Sequence, residues 1–469
     1  MWTADSRLIE RGRKRLPSSL KIMTHDGSHN SEPIAPGSLP DSLTEFTLGY
    51  GHAHQIMEGV LPPSIHRLTF NNNNNLWPDT LPVSLTSLTF MYDSPLLGLG
   101  TLPPTLTELS LGRFSNNTLL PGVLPTSLIT LTLGQGFMQP LLLGSLPPGL
   151  KKLTFGMIYN KPIKEGVLPI SLTSLKFGQG YRQRLGPGVL PASITRLSFG
   201  KEYIQQLTQV DLPASLTKLT ATPATQLLSV PPSLVHLKHF WDVPYSLLQP
   251  TPDTIKHLTL GNSFEETITP GMLGDSLTAL TLGRLYNQTL EPGGLPHSLL
   301  SLRFGFAFTR PLARGTLPPS LTILEFGPVF SQRIAPDTLP DSITKLTFGG
   351  SFNSEITPCA LPSSLRDLYI NIHSILSFKA YFNKTVATDP TRHSVHRLHI
   401  ELFFNRSFVN VIGLPSVCSV HLPFDDRVVV CRMINQRTVI LLDRRIRRGW
   451  GFLPVPSLAN SHCVDVDKV

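Results

Sequence analysis

The chain has 469 residues, and its 40 Lys and Arg against 31 Asp and Glu give a formal net charge of +9. A mild basic excess spread over a long chain permits acidic partners but does not indicate nucleic acid or a membrane. The four cysteines have no paired spacing, which argues against a zinc site and a disulfide scaffold. The sequence has no apolar run of about 18 residues and no signal-peptide core, so we expect a soluble, cytoplasmic protein.

The chain begins with a polar and basic segment, residues 1–15, which we interpret as an N-terminal cap. From residue 16 an eleven-residue phrase returns about every 22 residues, as in LPTSLITLTLG at 124–134, LPPGLKKLTFG at 146–156 and LPISLTSLKFG at 168–178. A unit of this size cannot bury its own apolar face and needs neighbours on both sides. The repeat therefore predicts a β-rich solenoid of 17 stacked units over residues 16–370.

Each unit begins with a short strand, numbered here from the Leu before the Pro as position 0. Apolar residues stand at positions 4, 7 and 9, as Leu128, Leu131 and Leu133 do, and polar residues alternate with the last two. This period of two is typical of a half-buried strand. Gly follows at position 10, as at Gly134 and Gly156, and we expect it to end the strand by taking a positive φ.

An aromatic residue recurs at position 13, and an extended arm then returns the chain to the next unit. Stacked unit upon unit, the aromatic rings predict an interior column. Pro-Gly or a lone Gly before each new phrase predicts a tight turn, and 43 regularly placed prolines disfavour helices in the return arm. The aromatic residues at position 13 are Phe137, Tyr159, Tyr181, Tyr203, Phe264, Tyr286, Phe308, Phe330 and Phe352.

Two stretches break the rhythm. Between residues 212 and 251 the spacing falls to 18 and then 21, and HLKHFWDVPYSLL brings histidines and aromatics together. Residues 371–422 form degenerate repeats after a longer insertion, and insertions in solenoids often carry contacts. Residues 423–469 leave the pattern and predict a C-terminal cap, in which residues 427–434 and 437–442 form a β-hairpin.

The phrase LPxSLTxLxFG, followed by an aromatic, Asn or Gln, Pro and Ile, resembles the FNIP repeat, a relative of the leucine-rich repeat. The stretch from Tyr159 to Ile163 matches the namesake motif best, and the resemblance covers residues 16–370. It implies a leucine-rich-repeat-like right-handed coil with parallel strands on the concave side and helix-poor return arms. The Asn ladder of ordinary leucine-rich repeats is missing at position 12, so we expect the Asn and Gln residues after the aromatic to form the polar ladder.

Members of this family often carry an F-box or a kinase domain beside the repeats, and neither pattern is recognisable in this sequence. Ser stands at position 3 in most units, including Ser127 and Ser171. A residue repeated in every coil is expected to bond backbone at a turn rather than act as a nucleophile. For His236 and His239 we favour a partner-binding role over a metal site. The sequence thus predicts no enzyme, no cofactor and no metal.

Positions 6 and 8 point out of the predicted sheet and carry the candidate binding residues. Six adjacent strands, spaced about 4.8 Å apart, place basic residues on this face. An acidic protein segment fits such a stripe better than nucleic acid, which needs more charge and interleaved aromatics. Chance clustering of screened surface charges is the alternative. The candidate partner-binding residues on this face are Lys152, Lys176, Arg196, Lys218, His236, Lys238 and His257, and the irregular stretch between 212 and 251 adds Trp241 and Tyr245.

The sequence therefore favours a non-enzymatic scaffold that binds a protein partner on its concave strand face, without nucleic acid or membrane. The alternative is a regulatory substrate adaptor in a ubiquitin ligase pathway, which the family resemblance alone suggests.

Overall fold

The computed structural model describes residues 2–4, 16–25, 33–49, 54–71, 79–221, 229–239, 251–352, 354, 360–372, 397–402, 420–424, 427–435, 438–443 and 451–454. Within these ranges every regular element is a β-strand, and no helix is long and apolar enough to span a bilayer. The chain divides into unit 1, Met1–Leu234, and unit 2, Val235–Val469. The division falls in the stretch where the repeat spacing shortens.

The strands of unit 1 are β1 (Trp2–Ala4), β2 (Ile22–His25), β3 (Glu45–Leu48), β4 (Arg67–Phe70), β5 (Ser87–Phe90), β6 (Glu108–Ser110), β7 (Thr130–Thr132), β8 (Lys152–Thr154), β9 (Ser174–Lys176), β10 (Arg196–Ser198) and β11 (Lys218–Ala221). The strands of unit 2 are β12 (His236–His239), β13 (His257–Thr259), β14 (Ala279–Thr281), β15 (Ser301–Arg303), β16 (Ile323–Glu325), β17 (Lys345–Phe348), β18 (Asp367–Ile372), β19 (Arg397–Leu402), β20 (Val420–Phe424), β21 (Arg427–Asn435), β22 (Thr438–Asp443) and β23 (Gly451–Pro454).

Within each unit, the strands of successive repeats pair in parallel. In unit 1 this holds from β1 to β11, and Leu131, Leu153 and Leu175 face one another across three successive strands. In unit 2 it holds from β12 to β20. The remaining strands, β20 to β23, pair antiparallel. The pair formed by β21 and β22 lies where the sequence predicts a hairpin. The predicted parallel, leucine-rich-repeat-like solenoid is confirmed.

The apolar residues at positions 4, 7 and 9 form much of the core of a typical coil. Leu128, Leu131 and Leu133 are at most 2% exposed, whereas Thr130 and Thr132 between them are half-buried. The alternation follows from the strand, because successive side chains point to opposite faces. The predicted alternation of buried and outward-facing residues is confirmed for this strand.

Two columns of aromatic rings lie in the interior of the middle coils of unit 1. Phe155, Phe177 and Phe199 at position 9 stack with centroids 5.2 and 5.4 Å apart. Tyr181 at position 13 stacks on Tyr159 and on Tyr203 at 6.1 Å, and it also stacks on Phe177 of its own coil at 4.1 Å. Unit 2 repeats the position-13 column from Phe264 to Phe352. The predicted interior column is confirmed, and the position-9 rings add a second one beside it.

The expectation for the position-10 glycines was wrong. The glycines with positive φ are those of the turn before each new phrase, such as Gly122 and Gly166. Gly134 and Gly156 do not take a positive φ; instead, each lies against the backbone of the preceding coil, where a Cβ atom would overlap a carbonyl oxygen. Absence of a side chain, and not backbone freedom, is therefore what position 10 requires.

Side chains at two positions join successive coils. Ser127 Oγ donates to the Leu106 carbonyl at 2.7 Å, and Ser171 Oγ to the Leu150 carbonyl at the same distance. At position 14, Asn160 Oδ1 accepts a hydrogen bond from the backbone N–H of Arg182 in the next coil at 3.0 Å. Asn116 and Asn287 likewise accept from the backbone N–H groups of Met138 and Thr309. Both the structural role of the serines and the displaced polar ladder are confirmed.

Candidate partner-binding surface

In each unit, the solvent face is the side of the sheet that presents positions 6 and 8 of the repeat strands, and it carries most of the residues singled out from the sequence. The two positions flank the buried Leu at position 7, so their side chains point away from the core. Lys152 and Arg196 at position 6 and Lys176 at position 8 are exposed. Lys218 of β11 is exposed as well. The structure thus places these four residues on one face of unit 1.

We call Lys152, Lys176, Arg196 and Lys218 the cationic patch. Adjacent strands bring its members together: Arg196 faces Lys218 directly, and Lys176 lies one strand away from both Lys152 and Arg196. Within the described ranges none of the four forms an ion pair with an acidic side chain. The patch therefore leaves its charges to the solvent or to a partner.

The rest of the solvent face between β7 and β11 carries hydroxyl groups and no carboxylate. Its ten residues at positions 6 and 8 comprise the four cations and six Ser or Thr side chains. The six hydroxyl residues are Thr130, Thr132, Thr154, Ser174, Ser198 and Thr220. This segment is cationic and polar, and it has no aromatic ring on which a base could stack.

Elsewhere on the solvent face acids accompany the cations. Arg67 of β4 lies 4.0 Å from Glu45 of β3. In unit 2, Arg303 Nη2 lies 2.6 Å from Glu325 Oε2, and Lys345 Nζ lies 3.9 Å from Glu325 Oε1. Because opposite charges at these distances compensate each other, these cations are less available to an external anion than those of the cationic patch.

Unit 2 positions the other candidate residues, as far as they are described. His236 and His257 face each other on β12 and β13, and their rings stack with centroids 4.2 Å apart. Lys238 of β12 is exposed. The structure describes neither Trp241 nor Tyr245, so the prediction for both lies outside the described residues. The same holds for the side chain of His239.

The described part of the chain shows no cluster of side chains with the composition of a metal site. No group of three or more His, Cys, Asp or Glu side chains gathers there. The titratable groups with clearly shifted pKa values are core tyrosines; burial raises the pKa of Tyr159 and of Tyr286 to about 12, and it raises the pKa of Tyr181 and Tyr203 further. These phenols stay neutral at physiological pH and belong to the stacked core.

Sequence reasoning missed a set of exposed aliphatic residues in unit 1. Leu99 and Leu143, each 71% exposed, occupy the position three residues before a new phrase. Other coils have Pro121, Glu165 or Pro187 at that position. An alignment of the repeats would have revealed them, because these coils have Leu where other coils have Pro or Glu.

Comparisons with known proteins agree with this architecture. The FNIP Repeat family matches six segments that together cover more than half of the chain, at residues 52–93, 92–136, 137–180, 181–220, 286–328 and 330–371. The structure is similar to that of CroV588, described as a novel circular LRR protein, with a TM-score of 0.61 and 31% identity. The similarity covers 87% of this chain and 63% of CroV588, so the chain spans less than two thirds of that protein.

Two further proteins show partial similarity. YopM from Yersinia enterocolitica is 19% identical, with a TM-score of 0.34, over 82% of this chain and 78% of its own. A probable serine/threonine-protein kinase of Dictyostelium discoideum, fnkA, is 33% identical over 86 residues, which are 18% of this chain and 11% of the kinase. That match lies in a repeat region and not in a kinase domain.

The matched segments coincide with strands, aromatic columns and inter-coil ladders that repeat in the same phase. The chain belongs to the FNIP-repeat family of leucine-rich-repeat-like proteins.

Proposed function

We propose that the protein is a non-enzymatic interaction scaffold that binds an acidic segment of a partner protein on the solvent face of unit 1. One observation carries the proposal: five neighbouring strands present the four cations of the cationic patch and no carboxylate. Repeat solenoids use such extended faces to bind other proteins. A partner with acidic side chains would supply the negative charge that no side chain of β7 to β11 provides on this face.

The composition of the face favours protein over nucleic acid as the partner. Single-stranded nucleic acid is bound with aromatic side chains that stack on its bases, and none stands at positions 6 and 8 from β7 to β11. Complementary charges across an interface raise the association rate and exclude wrong partners more than they add affinity. We therefore expect binding to weaken as the salt concentration rises.

The test compares two charge-reversal variants with the same change in net charge. In the first, Lys152, Lys176, Arg196 and Lys218 are changed to Glu. In the second, the exposed cations Lys161, Lys164, Arg184 and Lys201 of the neighbouring return arms are changed to Glu. Partners captured by the tagged wild-type chain are identified and quantified for both variants. The proposal predicts loss of the partners with the first variant and retention with the second.

Circular dichroism and thermal melting confirm that both variants are folded. Equal capture by the wild type and by the first variant, with both folded, would contradict binding at the cationic patch. If subunits of a ubiquitin ligase dominate the captured proteins, the adaptor function suggested by the family resemblance replaces the general scaffold.

A further inference from the structure

The central part of the cationic patch has an ordered arrangement of charges and hydroxyls. Strands β8, β9 and β10 present Lys152, Ser174 and Arg196 at position 6, facing one another in register. They present Thr154, Lys176 and Ser198 at position 8 in the same way. Cations and hydroxyls thus alternate in both directions across this grid of two rows and three strands.

Lys152, Lys176 and Arg196 of the grid lie close enough together to contact a single ligand. Neighbouring strands are about 4.8 Å apart and alternate residues of a strand about 6.6 Å apart, so that Lys176 lies diagonally about 8 Å from both Lys152 and Arg196. Long, flexible Lys and Arg side chains can converge from these three positions on a single ligand. Ser174 stands between Lys152 and Arg196 in the row, where its hydroxyl can donate to the same ligand.

We propose that this grid binds the phosphate group of a phosphorylated serine or threonine in the partner segment. The inference rests on the proposed function, because it names the chemistry of the segment that occupies the cationic patch. A phosphate monoester carries a charge of about −1.5 to −2 at pH 7 and three acceptor oxygens. Three cationic donors and a central hydroxyl match that group, whereas one carboxylate offers a single charge and two oxygens.

Two features of the molecule select this ligand over other anions. The grid has no aromatic side chain, so a nucleotide would find its phosphate bound but its base without a stacking partner. On the solvent face of unit 2, by contrast, Glu325 contacts both Arg303 and Lys345, so these two cations are compensated within the unit. The three cations of the grid have no such acid within the described residues, and a doubly charged group compensates them best.

The first test uses arrayed nine-residue peptides with phosphoserine, phosphothreonine, glutamate or serine at the centre and identical flanks. The full-length protein is applied at 0.15 M salt, and dissociation constants are then measured by fluorescence anisotropy for the strongest members. We expect phosphorylated peptides to bind about tenfold more tightly than their glutamate counterparts. Equal affinities for phosphoserine and glutamate centres would overturn the phosphate proposal and leave an acidic-segment scaffold standing. Tighter binding of poly-uridine than of any phosphopeptide would overturn it in favour of nucleic acid.

Matched variants assign the binding to the grid. Changing Lys152, Lys176 and Arg196 to Gln should abolish the preference for phosphoserine. Changing Lys161, Lys164 and Arg184 to Gln removes the same charge from the return arms and should leave the preference intact. Ser174→Ala keeps every charge, and we expect about a threefold loss of phosphopeptide affinity with no change for glutamate peptides. An unchanged preference in the first variant would overturn the assignment.

The pH provides a check that needs no variant. The second ionisation of a phosphate monoester has a pKa near 6, whereas a glutamate side chain remains ionised down to about pH 4.3. The preference for phosphoserine should therefore shrink between pH 7.5 and pH 5.

A second measurement keeps the proposal testable if the peptides bind weakly. Partners captured by the wild-type chain are treated with a protein phosphatase, or with the heat-inactivated enzyme, before a second capture. Loss of recapture after active phosphatase alone supports the grid as a phosphate site. Undiminished recapture overturns it. If the charge-reversal variant of the cationic patch also captures the partners as well as the wild type does, the proposed function is contradicted too.

Discussion

The carbonyl oxygen of Gly134 occupies the place that a Cβ atom on residue 156 would take. The same relation joins Gly156 to Gly178 in the next coil, and it recurs in unit 2 between Gly305 and Gly327. Both partners are backbone, so neither can rotate away as a side chain could. A column of glycines therefore sets how closely successive coils approach at the end of each strand.

Gly156→Ala is expected to destabilise the protein by about 2–3 kcal/mol, because the added methyl group forces two backbones apart in a packed interior. Gly186→Ala is the matched control: this glycine does not take a positive φ, and a Cβ atom there meets no atom within 4 Å. The measurement is the free energy of unfolding from urea titration. An equal effect of both substitutions would show that the conformational freedom of glycine, and not the backbone contact, determines the requirement.

The repeat made most of the fold predictable from the sequence, and the glycine column shows where such prediction ends. Position 10 stood out because Gly recurs there, but the sequence gives no distance between coils. Positive φ and close approach both require Gly, and only the coordinates distinguish Gly134, which lies against a carbonyl, from Gly122, which takes a φ of 82°. The same limit applies to position 9, whose Phe residues were recognised as core but not as a ring column.

Tyr181→Phe should be neutral or stabilising at pH 7, by up to about 1 kcal/mol. In the described part of the chain the buried Tyr181 hydroxyl has no hydrogen-bond partner, and an unsatisfied buried donor is unfavourable. Phe137 and Phe308 fill the same position in other coils without a hydroxyl. Thermal melting of the variant tests this, with Tyr181→Leu as the control that also removes the ring stacking. A clear loss of stability in Tyr181→Phe would indicate that the hydroxyl is hydrogen-bonded in solution.

Alkaline pH is expected to destabilise the stacked tyrosines. Burial raises the pKa of Tyr159 to about 12 in the folded chain, above the value near 10 of an unfolded tyrosine. A raised pKa means that the stabilisation is complete below pH 10 and is lost as the pH rises from 10 to 12, at up to about 1.4 kcal/mol per pH unit and group. Urea titrations of wild type and Tyr159→Phe at pH 9 and pH 11 measure the difference. The variant should lose less stability; parallel losses would show that Tyr159 ionises normally.

The serine ladder should contribute about 1 kcal/mol per coil, the usual net value of a hydrogen bond to a buried carbonyl. Ser171→Ala leaves the Leu150 carbonyl without the Oγ donor that now lies 2.7 Å away. Ser171→Thr is the control, because Thr105 makes the same bond to Leu85 at 2.9 Å in another coil. Urea titration of the three proteins should rank Ala well below Thr and the wild type. If Ser171→Ala equals the wild type, water replaces the hydroxyl and the ladder adds no stability.

The sequence was enough to predict where the residues of the candidate site lie, but not whether acidic side chains compensate their charges. The alternation of positions 6 and 8 was enough to place Lys152, Lys176 and Arg196 on one face. The alternation was not enough to predict that these cations form no ion pairs within the described part of the chain, because ion pairing depends on which side chains on neighbouring strands reach each other. Arg303 and Lys176 both stand at position 8, and the structure separates them: Glu325 compensates Arg303, whereas no acid on a neighbouring strand does the same for Lys176.

That difference leads to a gain-of-function prediction for Glu325→Gln. The change removes the carboxylate that contacts Arg303 and Lys345, and partly exposed ion pairs contribute little to folding, so the loss of stability should stay below about 1 kcal/mol. In a chain whose Lys152, Lys176 and Arg196 are Gln, binding of a phosphoserine peptide should recover by about threefold, because Arg303 loses its carboxylate partner and becomes available. Lys345 still faces Asp367 on the next strand and lies over the Tyr369 ring. Fluorescence anisotropy measures this recovery, with Glu265→Gln as the control, since Glu265 is exposed outside that face. No recovery would mean that cations alone are insufficient and that the alternation of cations with hydroxyls in unit 1 is itself required.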